Sequence, residues 1–194
     1  MPDNEFLNLM TENIDELDCC LQANLERREG LNNKSTFNSE TKLLFVGTAV
    51  PPKLSYFYSN DGNWIYKWID EIRKTHLQTL QTCIKLANND SEKQACVDEI
   101  INTLYKEKIA FLDVANTFIT VKDSSKDGDI KKFYFNKADF QYINNSNLKI
   151  VALTRNAKAV LEEYFGLTDF LFVPIFENNC PKRKPIIDIL EETK

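Results

Sequence analysis

At 194 residues and 43% apolar content, the chain is long enough for one well-buried domain and too short for two comfortable ones. Its net charge of −5 argues against strong non-specific nucleic-acid binding, which rests on lysine and arginine neutralising phosphates, but leaves room for a local basic face. No apolar run approaches the roughly 18 residues of a membrane span, and Asp3 and Glu5 stand where a signal peptide would be basic, so a cytoplasmic protein without a membrane segment is expected.

From Glu5 to about Arg28, Leu7, Met10, Ile14, Leu17 and Leu21 recur at spacings of three and four, which predicts an amphipathic helix docked on its own domain. Gly30 to Glu40 is polar and reads as a connecting loop, so residues 1–40 form a helix and linker ahead of an α/β domain at 41–194. "KLLFVGT" (Lys42 to Thr48) is a buried strand followed by the Pro51-Pro52 turn. Trp64, Ile65, Trp68, Ile69, Ile72 and Leu80 mark one face of a helix starting near Asp61, and a second helix spans about Ser91 to Lys106.

"IAFLDVANTF" from Ile109 is the second buried strand, and "DSSKDGD" (Asp123 to Asp129) is a turn-rich loop. "LKIVALT" from Leu148 is the third strand, followed by a helix from Ala157 to Phe165 closed by Gly166. "FLFVPIF" from Phe170 is the fourth, and Pro185 to Glu192 gives a last helical turn or two. Apolar strands alternating with helices predict a three-layer α/β/α sandwich with a four-stranded, mainly parallel sheet. Ligands of such sheets bind beyond the carboxyl ends of the strands, here Thr48 to Asn63, Asp113 to Asp129, Thr154 to Asn156 and Phe176 to Lys184.

Several chemistries are absent. There is no GxGxxG and no GxxxxGK[ST], so dinucleotide and P-loop sites lack their glycines. The five cysteines form no CxxC and have no histidine nearby; they read mostly as buried thiols rather than zinc ligands, and no metal or cofactor is expected. His76 is the one histidine and there is no GxSxG elbow, which leaves little support for a nucleophilic triad.

What remains is "YFYSNDGNWIYKWI", Tyr56 to Ile69, where three aromatics adjoin Asn60 and Asn63. A packed core accounts for the aromatics, and turn or helix-cap chemistry for the asparagines. A pocket for a flat polar molecule accounts for both, since aromatic faces stack on a nucleobase and an amide matches its edge.

With these motifs in order, the chain resembles the uracil-DNA glycosylase superfamily, nearest its hypoxanthine-DNA glycosylase branch. "GTAVPP" matches a first strand ending in a Gly-x-x-Pro-type turn, and "YFYSNDGNWIY" matches an aromatic segment of the form FYYGNPRNRFW. "LDV" (Leu112 to Val114) stands for a strand ending in WDV, and "KDSSKDGDI" (Lys122 to Ile130) for a stretch like RKGSLDSDI. The resemblance covers about 140 residues, Lys42 to Lys184. Where most branches carry a catalytic Asp or Asn two residues after the glycine, this chain has Ala49; the family's arginine and tryptophan of the aromatic segment fall on Gly62 and Tyr66. Its last loop is a longer "FENNCPKRK".

The resemblance implies a DNA glycosylase that flips out a deaminated or modified base and hydrolyses its N-glycosidic bond. Asn60 corresponds to the water-orienting residue of the hypoxanthine branch, with Asp113 and Asp127 as carboxylate alternatives. Thr48, Tyr56, Phe57, Tyr58, Asn63 and Ser125 are the candidates for holding the base and its phosphate. Asn178, Asn179, Lys182, Arg183 and Lys184 are those for DNA. The competing reading is a non-catalytic relative that binds a nucleobase, nucleotide or protein partner, consistent with Ala49 and the acidic charge.

Overall fold

The computed structural model of the chain describes residues 3–49, 56–59, 64–124, 126–174 and 183–194. Its apolar runs become the strands of a parallel sheet. β3 (Leu43–Gly47) is buried along its whole length and lies between β4 (Ile109–Asp113) and β7 (Lys149–Ala152), with the two-residue β8 (Leu171–Phe172) outside β7. All three pairings are parallel, and Leu43 aligns with both Ile109 and Lys149. A fully apolar central strand is what a sheet covered on both faces requires. Phe45 stacks on Phe111 across the β3–β4 pair at 5.1 Å. The expected α/β fold and its four-stranded parallel sheet are therefore present.

The helices cover this sheet. α2 (Trp64–Arg73), α3 (Leu77–Leu86) and α4 (Asp90–Lys106) precede β4, and α4 packs on it. α5 (Arg155–Ala159) packs on β3 and β7 and continues as a π-helical turn to Tyr164, with Gly166 in the left-handed region at φ 66°. α6 (Arg183–Glu192) lies against α2. Among the described residues no helix is long and apolar enough to cross a membrane.

The single helix expected from Asp61 through Leu80 is two. Lys74 adopts φ 59°, and the Asp70 carboxylate accepts hydrogen bonds from the backbone N–H groups of Leu77 and Gln78, at 2.7 and 2.9 Å, and from the Thr75 hydroxyl. Asp70 thus ends one helix and caps the next from seven residues upstream.

The long N-terminal helix expected over Glu5 to Arg28 is not formed. In its place stand α1 (Asp3–Leu7), β1 (Met10–Thr11), a 3-10 stretch from Ile14 to Cys20 and β2 (Leu25–Glu29). β2 pairs antiparallel along the whole of β5 (Thr117–Val121), and β1 pairs with β6 (Ile130–Tyr134), giving a second four-stranded sheet in the order β1-β6-β5-β2. The threefold and fourfold spacing of Ile14, Leu17 and Leu21 suits a 3-10 turn as well as a helix. Here Leu17 is buried with Leu25 and Ile119, while Ile14 and Leu21 are exposed. Strand pairing to β5 then outweighs helix propensity for the charged segment Leu25–Glu29.

The cysteine expectation also changes. Cys83 and Cys96 are joined as a disulfide between α3 and α4, Cys19 is exposed, and Cys20 is half-buried.

The polar segment after β2 closes the free edge of the parallel sheet. β4 is an edge strand, so the outward carbonyls of Ile109, Phe111 and Asp113 lack a strand partner. Thr36 Oγ1 donates to the first at 2.7 Å, Ser35 Oγ to the second at 2.6 Å and Asn32 Nδ2 to the third at 2.9 Å. Three side chains thereby take the place of a neighbouring strand.

Candidate active site

Three strand ends of the parallel sheet converge. Gly47 closes β3 opposite Asp113, which closes β4, and Thr48 follows Gly47. Thr154 follows β7 and caps α5 by accepting from Ala157 N–H at 3.0 Å. The Thr48 and Thr154 hydroxyl oxygens are hydrogen-bonded at 2.7 Å, and Thr48 stands near enough to Asp127 to favour its charged form. The Thr154 hydroxyl thus links the α5 terminus to Thr48, beside the Asp127 carboxylate.

The two carboxylates sit in different surroundings. Asp113 is 3% exposed, and burial together with the charge of Asp127 raises its carboxyl to about 7. Burial also raises Asp127, opposed by the Thr48 hydrogen bond. Asp127 lines a narrow cleft with Ala49, Arg28, Phe118, Thr120 and Lys126, whose free volume of ≈ 10 Å³ matches about one water. Ala49, just beyond β3, and the carboxylate of the distant loop therefore meet at one cleft. The cleft's other wall, Arg28, Phe118, Thr120 and Ile130, comes from the antiparallel sheet that the sequence reading did not foresee.

Gly47 permits this closeness. A Cβ there would lie 2.4 Å from Asp113 Oδ1 and 2.7 Å from the Tyr58 hydroxyl, so both polar groups stand over the bare strand end. Tyr58 has φ 54°, packs on Phe111 at 5.2 Å, and has its backbone carbonyl held by Gln81 Nε2 at 2.8 Å. Its hydroxyl stays protonated, because burial and then the charges of Asp113 and Asp127 all oppose ionisation.

Tyr56 and Phe57 are 0% and 2% exposed and belong to the core, where Phe57 stacks on Phe111 at 6.1 Å. Of the three aromatics, Tyr58 is the one with its hydroxyl among the strand-end polar groups. The structure thus brings together Thr48, Tyr58, Asp113 and Asp127. Asn60, Asn63, Ser125, Asn178, Asn179 and Lys182 lie outside the described residues, as does the Arg183 side chain; Lys184 is exposed in the first turn of α6.

Sequence reasoning missed Asn32, which is 7% exposed. Its Oδ1 accepts from Asp113 N–H and its Nδ2 donates to the Asp113 carbonyl, both at 2.9 Å. Nothing in a polar "GLNNKST" distinguishes this residue from a loop asparagine. The signal was the neighbouring β4 edge, which needed partners.

No protein-family model matches the chain, and the comparison with curated proteins found no match. Among solved structures, the chain is similar in fold to a protein of Methanosarcina acetivorans, determined by solution NMR and described as a "putative Uracil DNA glycosylase". The two share 16% identity with a TM-score of 0.57, over 87% of this chain and 99% of that one.

Proposed function

We propose that this protein is a DNA glycosylase of the uracil-DNA glycosylase superfamily, near the hypoxanthine branch, releasing a deaminated or otherwise modified base by hydrolysis. The reading is supported by the order of its motifs and by the fold it shares with the archaeal protein so described. The observation that carries it is the carboxylate pair: Asp127 lining the cleft, and Asp113 buried within reach of its charge over the bare strand end at Gly47. Two carboxyl groups in unequal surroundings can divide the roles of base and acid.

Cleavage of the C1′–N bond leaves positive character on the sugar and electron density on the base. As a carboxylate, Asp127 orients a water beneath C1′ and takes its proton as the new C–O bond forms. Asp113, protonated up to neutrality, supplies a proton to the departing base across the space it shares with the Tyr58 hydroxyl. Asn60 is the second candidate for orienting the water. Tyr58 contributes the aromatic face, and Lys182, Arg183 and Lys184 contact the DNA backbone.

The test is incubation with oligonucleotides carrying a panel of modified bases, followed by alkaline scission of abasic sites. Strand cleavage that disappears in Asp127→Asn is expected. If no base is released, yet free nucleobases raise the melting temperature, the protein is a binding relative and not a glycosylase.

A further inference from the structure

We infer that Asn32 and Asp139 form a clamp on the peptide of Asp113, and are positioning residues for the carboxyl group at the end of β4. This rests on the reading that Asp113 belongs to the reacting site. The amide of Asn32 engages both backbone groups of Asp113, as a neighbouring strand would, and its remaining N–H donates to Asp139 Oδ2 at 2.9 Å. Asp139 is held in turn by Asn136 Nδ2 at 2.6 Å, and the Asn32 backbone N–H donates to Asn116 Oδ1 at 3.2 Å. Both N–H donors and the oxygen of the Asn32 amide are thus engaged, in a site 7% exposed, on the last residue of an edge strand.

Ser35 and Thr36 show what a purely structural edge bond looks like. Each satisfies one carbonyl of β4, at Phe111 and Ile109, and neither continues to another polar group of the site. Asn32 differs in that its partner is the residue bearing the carboxyl, and in that a second carboxylate fixes its orientation. Among the described residues, the charged and titratable groups facing Asp113 and its clamp are Asp127, Tyr58 and Asp139. Loosening the clamp lets the strand end rise toward solvent, away from the position over Gly47.

The measurement is the carboxyl-carbon NMR titration of Asp113, which needs no substrate. In Asn32→Ala the midpoint is expected to fall from about 7 toward the ordinary carboxylate range. Ser35→Ala should lower the melting temperature and leave that midpoint in place. If the two variants lose similar stability and both keep the native midpoint, Asn32 is structural only and the inference is overturned. Should Asn32→Ala fail to fold, Asp139 decides: Asp139→Asn keeps an acceptor for Asn32 and should preserve the midpoint, whereas Asp139→Ala should lower it. An unchanged midpoint in Asp139→Ala would also overturn the clamp. With a cleavable oligonucleotide, Asn32→Ala should reduce kcat by about 100-fold, the scale of a small misplacement of a reacting group, with KM little changed. If no oligonucleotide is cut, the glycosylase reading fails while the titration still tests the clamp.

Discussion

Burial and the charge of Asp127 both oppose ionisation of Asp113, so the folded protein binds a proton there up to about pH 7, whereas the unfolded chain releases it near an ordinary ~3.9. The stability that this proton contributes is complete below the unfolded value and is lost as pH rises through the folded one. Asp113→Asn, which cannot ionise, should match the native protein near pH 4 and exceed it at pH 8, by on the order of 4 kcal/mol at most. Activity should move the other way, because the amide cannot deliver a proton. A melting curve and a single-turnover assay at both pH values check the pair of signs. Asn60 offers the opposite pattern: Asn60→Ala should cost about 100-fold or more in cleavage with folding intact if it orients the water. A loss of about 1 kcal/mol in stability with an unaltered rate would make it a turn residue. If activity survives Asn60→Ala but vanishes in Asp127→Asn, the carboxylate activates the water. At this scale the positions of Thr48 and Asp113 at strand ends, and of Asp127 in a turn-rich loop, were legible in the sequence. The burial of Tyr56 and Phe57 was not, since an aromatic run has the same appearance whether it walls a pocket or fills a core.

Elements were readable where the physics is local and lost where the partner is distant. The strands β3, β4 and β7 carry continuous apolar runs that only a doubly covered sheet uses. β2 and β6 have charged sequences, "LERRE" and "IKKFY", and become strands because β5 lies between them. The break between α2 and α3 depends on Asp70, too far upstream of Leu77 to be recognised as its cap. Asp70→Ala should therefore destabilise the protein by about 1–2 kcal/mol, the scale of a lost helix cap. Chemical denaturation would register the loss as a shift of the midpoint with unchanged slope. Asp70→Asn, which keeps an acceptor, should recover part of it. An Asp70→Ala protein as stable as the native one would mean that the α2–α3 break is set by Lys74 backbone geometry alone.

For the whole molecule, a net acidic charge and the proposed DNA substrate pull in opposite directions. With a net charge of −5, the long-range field repels a polyanion, so attraction must come from the few cations beside the site. At the cleft those cations are Arg28 and Lys126, and the proposed reading adds Lys182, Arg183 and Lys184. Arg28 is already occupied by Glu26, the Ser124 carbonyl and the face of Phe118, which leaves Lys126 and the proposed 182–184 cluster for phosphate contacts if DNA is the substrate. Each phosphate contact contributes about 0.9 to the slope of log affinity against log salt on duplex DNA, and about 0.7 on a single strand. Replacing all three of Lys182, Arg183 and Lys184 by alanine should therefore reduce that slope by about 2–3 and weaken binding evenly across sequences. Release of the base at saturating DNA should be unaffected, because the carboxylates act on the sugar and base and not on the backbone. A slope near zero in the native protein, unchanged by the triple substitution, would mean that phosphates are not what this surface meets. The strand-end site would then serve a free nucleobase, a nucleotide or a protein partner.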